Sequence, residues 1–182
     1  MMPHYVGIAG AARDADFAEQ RWSKCCALPM DGEIAAGGLL IPNRAVKLRD
    51  ILDGLSNTLL VAEASDFGAS ANGKQRRFDG GYPTGWIAGT AAGGTPPNYD
   101  GSFIRPSWNI TTIRYPINYR TYPAPGIDEN HGPNNPLLSA HRGGVNALLA
   151  DGSVRFLVDA TATLTLKRLA TRDDRQPIDL GN

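Results

Sequence analysis

The sequence predicts a single α+β domain, mainly β, with an antiparallel sheet, long Gly/Pro-rich loops, a C-terminal β-hairpin over residues 145–158 and a short terminal helix. Three observations predict it. Two apolar runs flank Asp151-Gly152, a dipeptide that strongly marks a tight hairpin turn. The segment 56–63 opens with turn residues and continues as an unbroken apolar run, the pattern of a buried strand. The 21 glycines and 13 prolines are scattered among 182 residues without a period, which gives turns and long connections rather than a fibrous repeat.

In chain order, Tyr5-Val-Gly-Ile-Ala9 reads as a short strand. Residues 14–27 suit a helical turn or two around Phe17, Trp22 and Leu28, and residues 29–32 a turn. Gly38-Leu-Leu-Ile41 reads as a short apolar strand stopped by Pro42. Val46 and Leu48 alternate like a strand, after which Asp50 caps one helical turn ending at Gly54. Residues 56–63 then make the strongest buried strand of the first half, in a central position. From 66 to 135 Gly, Pro, Asn and aromatic residues dominate, with short strands expected at 85–89, 102–104 and 110–119 and a loop at 91–97. No polar linker sets this tract apart, so 80–135 reads as a loop-rich insertion within the same domain. The hairpin is expected to turn as type I′, with positive φ at both Asp151 and Gly152. In its second strand Val154, Phe156 and Val158 point one way, and Ser153, Arg155 and Leu157 the other. Residues 161–171 suit a short amphipathic helix with Asp159 or Thr161 at its N-cap.

Composition excludes several classes of function. Lysine plus arginine and aspartate plus glutamate each number 18, so no net positive charge serves a nucleic-acid backbone. The basic cluster Lys74, Arg76 and Arg77 reads as a solvated loop. No stretch approaches the ~18 apolar residues of a membrane span, and no export signal is visible at the first residues. Cys25 and Cys26 are adjacent. Disulfides prefer Cα atoms ~5.5 Å apart, farther than neighbours sit, so two buried free thiols is the first reading. A vicinal disulfide and an intermolecular bridge are the alternatives.

Phosphate loops, nucleophile elbows and zinc-ligand spacings are absent from the sequence, and no enzymatic activity is expected. Asp128, Glu129 and Asn130 lie in a polar stretch that could offer oxygen ligands to calcium, although loops use the same residues for backbone reasons. His141 and Asp151 are separated by nine residues. If the intervening chain is extended, they stand ~20 Å apart at ~3.3 Å per residue, too far for a dyad. Separate structural jobs are expected: Asp151 in the turn, His141 as a hydrogen-bonder at the strand entry.

The run His141, Gly143, Gly144, then Asp151, Gly152 and Ser153 resembles the H-X9-DG signature of prepilin-type processing-associated domains. These belong to a large planctomycete family, domain of unknown function 1559, labelled in places as a solute-binding type. Asp50-Ile-Leu-Asp-Gly-Leu-Ser-Asn-Thr-Leu-Leu-Val-Ala-Glu63 is similar to that family's ITDGTSNTLLVGE block. Tyr5-Val-Gly-Ile-Ala-Gly10 and the segment 164–172 resemble its opening and closing motifs.

The resemblance implies the β-rich head of a pilin- or pseudopilin-like subunit at the cell surface, in the periplasm or outside the cell. Full-length members carry an N-terminal signal and a long apolar helix, and this chain shows the head alone. The expected function is therefore structural: self-association into a homo-oligomer or filament, with no nucleic acid and no membrane contact by this chain. Trp86, Trp108, Tyr115, Tyr119 and Tyr122 are the expected interaction surface, since aromatic residues are enriched at hot spots, unless the rings simply cover the core. The second reading is a module binding a small ligand, a glycan or calcium through the 80–135 loops.

Overall fold

A computed structural model describes residues 4–26, 31–78, 87–102 and 107–178. Its strands are β1 (Tyr5–Ala11), β2 (Trp22–Cys25), β3 (Gly32–Ala35), β4 (Leu59–Glu63), β5 (Phe67–Ser70), β6 (Gln75–Arg77), β7 (Gly89–Thr90), β8 (Ser107–Trp108), β9 (Ile110–Ile113), β10 (Thr121–Tyr122), β11 (Gly144–Leu149) and β12 (Val154–Val158). One α-helix, α1 (Thr163–Leu169), follows the last strand. The main sheet has the order β12-β11-β4-β1-β9. Its pairs are antiparallel except β1 with β9, which run parallel. The fold is thus mainly β with a short terminal helix, and β4 is central as its apolar run predicts.

The sheet's register assigns its two faces. Val6 pairs with Ala62, Ala62 with Ala147, and Val145 with Leu157. Directly paired residues share a face, and this face is closed. Leu166 and Leu169 of α1 join Val6, Ile8, Val145, Ala147 and Leu157 in one buried cluster. Burying a Leu or Ile side chain stabilises by about 1.5–3 kcal/mol, so this face is the main source of cohesion. Lys167 of α1 is also buried, and its ammonium pairs there with the half-exposed carboxylate of Asp14.

The opposite face carries Tyr5, Gly7, Val61, Glu63, Asn146, Leu148, Val154, Phe156 and Val158, as the pairs Tyr5↔Glu63, Gly7↔Val61, Val61↔Leu148 and Asn146↔Phe156 require. Toward β9 it is covered by residues 39–46, while toward β12 it is open.

Several local expectations fail for tertiary reasons. Of the helical turns expected over 14–27, the described residues 14–26 hold none: Asp14 Oδ1 accepts the Asp16 and Phe17 N–H groups in a tight turn, and Trp22–Cys25 pairs with β3 instead. The 38–41 segment is not a strand. Gly38 presses so closely on β1 that a Cβ there would sit 2.7 Å from the Ala9 carbonyl carbon, and Leu39 and Leu40 both donate to the single Ile8 carbonyl. Around Val46 and Leu48 the chain forms two short 3-10 turns, Leu48–Asp50 and Leu55–Asn57. The strand expected over 110–119 stops at Ile113. Helix α1 starts from Ala162, whose methyl side chain cannot cap, so neither Asp159 nor Thr161 is its N-cap; Asp159 Oδ1 accepts the Asn118 side-chain amide. The strands expected at 85–89 and 102–104, and the turn at 29–32, fall partly outside the described residues.

Candidate functional site

The two motif-bearing segments of the sequence meet along one strand pair. Because β11 runs antiparallel to β4, the His141 end of the signature arrives at Glu63 and the Asp151 end at the start of the 50–63 block. At the first end, the buried Glu63 carboxylate accepts the Asn146 backbone N–H at 2.7 Å and the Asn146 side-chain amide at 3.3 Å. His141 Nε2 stands 3.6 Å from Glu63 Oε1, its ring largely in solvent. At the other end, the Ala150 and Asp151 N–H groups donate to the Thr58 and Leu55 carbonyls. His141 and Asp151 are therefore at opposite ends of a six-residue strand and do not meet.

The turn itself differs from the expected type I′. Gly152 has a φ of 86°, while Asp151 is not in the positive-φ region, and Gly152 N–H closes back on the Leu149 carbonyl. A type I turn followed by a left-handed glycine has this form. Asp151 Oδ1 accepts both the Ser153 N–H (2.8 Å) and the Ser153 hydroxyl (2.6 Å). These bonds hold the Asp151 carboxyl below its ordinary value of 3.8. Gly144 is needed for closeness: a Cβ there would lie 2.1 Å from the Leu157 carbonyl oxygen.

On the open sheet face a cleft of about 680 Å³ lies between β1, β4 and β9 and the 39–46 and 88–90 segments. Its floor is Gly7, Val61 and Ile110, and Tyr5 and Leu40 stand at its mouth. Arg44 is the sole charged side chain among its described lining residues. Asn43 holds the cleft's wall by donating to the Ala92 and Gly94 carbonyls, and Thr95 by donating to Pro42.

Asp128 and Glu129 face a cation from their own chain. Arg76 Nη2 lies 2.5 Å from Asp128 Oδ1 and 3.4 Å from Glu129 Oε1. Asn130 and His131 are buried beside them. The loop is fastened by two asparagines. Asn134 exchanges bonds with both backbone groups of Glu33 and donates to the Thr112 carbonyl. Asn135 accepts the Asp128 N–H and donates to carbonyls of Phe78, Asp128 and Glu129. Among the described residues no group of three or more His, Cys, Asp and Glu side chains is placed to hold a metal.

The expected aromatic surface divides. Tyr115 and Tyr119 stack at 4.5 Å, and with Tyr122 they pack half-buried against Phe78, Ile127 and Leu138. Arg76 lies 4.7 Å over the Tyr122 ring. These three rings therefore line a core while keeping part of their area exposed. Trp108 is half-buried on β8, and Trp86 lies outside the described residues. Cys25 and Cys26 are not free thiols: they are joined as a vicinal disulfide, buried against Ile34, Ala92, Tyr99 and Ile110. The left-handed backbone of Cys26 (φ 77°) lets neighbouring Cα atoms 3.7 Å apart carry the bridge.

Sequence reasoning missed Glu63 and the cleft. A carboxylate ending an apolar buried strand was the available signal for Glu63, since such a group needs a donor. Among the described residues no helix is long and apolar enough to cross a membrane. A family model described as "Protein of unknown function (DUF1559)", SBP_bac_10, matches residues 18–163. Searches of curated proteins and of solved structures give no match.

Proposed function

The chain belongs to the DUF1559 family of proteins of unknown function, and from that premise we propose that it is a non-enzymatic, pilin- or pseudopilin-like structural subunit, self-associating through its β-rich head in an assembly at the cell surface or outside the cell. The observation that carries this reading is the uneven cover of the main sheet. One face is sealed by α1, while the other presents Val154, Phe156 and Val158 at 66%, 48% and 44% exposure. Large apolar side chains held outward in a contiguous row mark surfaces that another polypeptide covers. Light scattering after size exclusion, over rising protein concentration, tests the reading. Growth in mass with concentration is expected, and a strict monomer at the highest concentrations would overturn it.

The cleft supports a second reading, a module that binds a small ligand, to which the name of the family model, SBP_bac_10, lends a hint. Its volume falls within the range of about 300–1,000 Å³ used by small-molecule sites. With largely apolar walls and Arg44 the one charged side chain among its described lining residues, it suits an amphipathic anion. Titration with dodecanoate, followed by thermal shift, is expected to raise the melting temperature in wild type and less in Arg44→Glu. No shift in either protein counts against this reading.

A further inference from the structure

Among the described residues, strand β12 ends the main sheet and has β11 on one side only. The ladder shows which of its backbone groups are left over. Leu149 N–H donates to the Ser153 carbonyl and Asp159 N–H to the Gly143 carbonyl. Between them Ala147 pairs with Arg155 and Val145 with Leu157. Antiparallel ladders alternate hydrogen-bonded and non-hydrogen-bonded pairs. The backbone groups of Ser153, Arg155, Leu157 and Asp159 therefore face β11, and those of Val154, Phe156 and Val158 face outward. The same three residues carry the exposed apolar side chains.

Natural edge strands are usually guarded by charges, prolines or bulges. Between Val154 and Val158 there is no proline, and Arg155 is the one charged residue. Its side chain lies on the other face of the sheet, opposite Ala147.

The free edge is also complementary to itself. A second β12, antiparallel across a twofold axis at Phe156, sets Val154 against the second copy's Val158 and Phe156 against the second copy's Phe156. Every such pair joins two outward-facing N–H and C=O sets, so all three residues are satisfied at once. Sliding the strands by two residues loses one of the three pairs. The side chains agree with that register, because Val–Val, Phe–Phe and Val–Val pairs line one face. On the other face Arg155 opposes Leu157, and Ser153 opposes Asp159, so no like charges are directly opposed.

We infer that β12 is a homotypic docking edge, through which two copies of this chain join into one continuous sheet with the twofold axis at Phe156. The inference rests on the self-association reading above and names its surface. Such an isologous contact is used up by one pair of copies, so it accounts for a dimer, and larger assemblies need a second surface.

Sedimentation of wild type and Phe156→Lys, with oxidative cross-linking of Phe156→Cys, tests it. Opposed hydrogen-bonded residues have Cα atoms about 5.5 Å apart, a separation that a disulfide spans. Phe156→Cys is expected to form covalent dimers under mild oxidation, while Thr121→Cys, exposed on β10, does not. Phe156→Lys is expected to weaken dimerisation roughly tenfold or more with an unchanged circular dichroism spectrum. Wild type that associates while Phe156→Cys stays uncross-linked and Phe156→Lys associates equally well overturns the β12 edge and spares the broader reading. Wild type that stays monomeric at every concentration overturns both.

Discussion

His141 Nε2 lies 3.6 Å from Glu63 Oε1, joining the first residue of the C-terminal signature to the last residue of the β4 block. The two partners are unequal. Glu63 is buried and satisfies the Asn146 backbone N–H where β11 parts from β4, whereas His141 is mostly in water. Exposed ion pairs contribute little, commonly about 0–1 kcal/mol, while stranding a buried donor costs about 1–3 kcal/mol. Urea denaturation is expected to place Glu63→Ala at about 1–3 kcal/mol of lost stability and His141→Ala within about 0.5 kcal/mol of wild type. Equal losses for the two variants would show that His141, not the Asn146 cap, is what Glu63 serves.

Two glycines of the signature are expected to fail differently. At Gly144 an added methyl meets the Leu157 carbonyl oxygen at 2.1 Å, so the β11–β12 ladder must shift. Gly144→Ala is expected to destabilise by about 1–3 kcal/mol, the usual range for forced overpacking. At Gly152 there is open space, and the obstacle is a φ of 86°. Gly152→Ala is expected to lose about 1–2 kcal/mol, and Gly152→Asn less, because asparagine tolerates that region. Thermal melts of the three variants decide the matter. A Gly152→Asn variant as damaged as Gly144→Ala contradicts the conformational explanation.

What could be read from the sequence was local, and what could not was set by contacts between distant segments. The strand β4 and the β11–β12 hairpin follow from periodicity and turn chemistry within about fifteen residues, and both are present. The turn type was missed because Asp151 bonds to Ser153 and its N–H to Leu55, and neither preference is contained in the Asp-Gly pair. Gly38 and its neighbours looked like a strand, and only the close approach to Ala9 makes them a crossing segment. The pairing of β2 with β3 overrode an apparent helical spacing of Phe17 and Trp22. Asp128, Glu129 and Asn130 were visible as a polar cluster, yet their partner Arg76 comes from a strand elsewhere in the chain.

Asn134 shows how the polar 126–135 loop is held. Its side chain forms three bonds, to both backbone groups of Glu33 and to the Thr112 carbonyl, in a fully buried position. Replacing it by alanine strands one donor and two acceptors. Asn134→Ala is expected to cost about 2–4 kcal/mol, and Asn134→Asp at least as much, because a carboxylate cannot donate and is buried beside two carbonyls. Chemical denaturation gives the size of the loss. Hydrogen exchange of β3 is expected to rise in parallel, since Glu33 N–H loses its acceptor. Unchanged exchange at Glu33 would mean that the β2–β3 pairing holds without Asn134.

The turn at Asp151 should make a small part of the hairpin's stability depend on pH. Hydrogen bonds from the Ser153 hydroxyl and N–H hold the folded Asp151 carboxyl below 3.8. A depressed folded value means that the folded state favours the ionised form. Its stabilisation is fully present above the ordinary carboxylate range and is lost as pH falls through the folded value. Asp151 is exposed, so the effect is local rather than large. Comparing wild type with Ser153→Ala isolates it, since the substitution removes the hydroxyl donor and leaves the N–H. The melting-temperature gap between the two is expected to be widest near neutral pH and to narrow as the solution is acidified below 3.8. Titration of the Asp151 carboxyl by NMR is expected to move upward in Ser153→Ala. A gap that widens on acidification reverses the sign of the linkage and rules out Asp151 as the acceptor that matters.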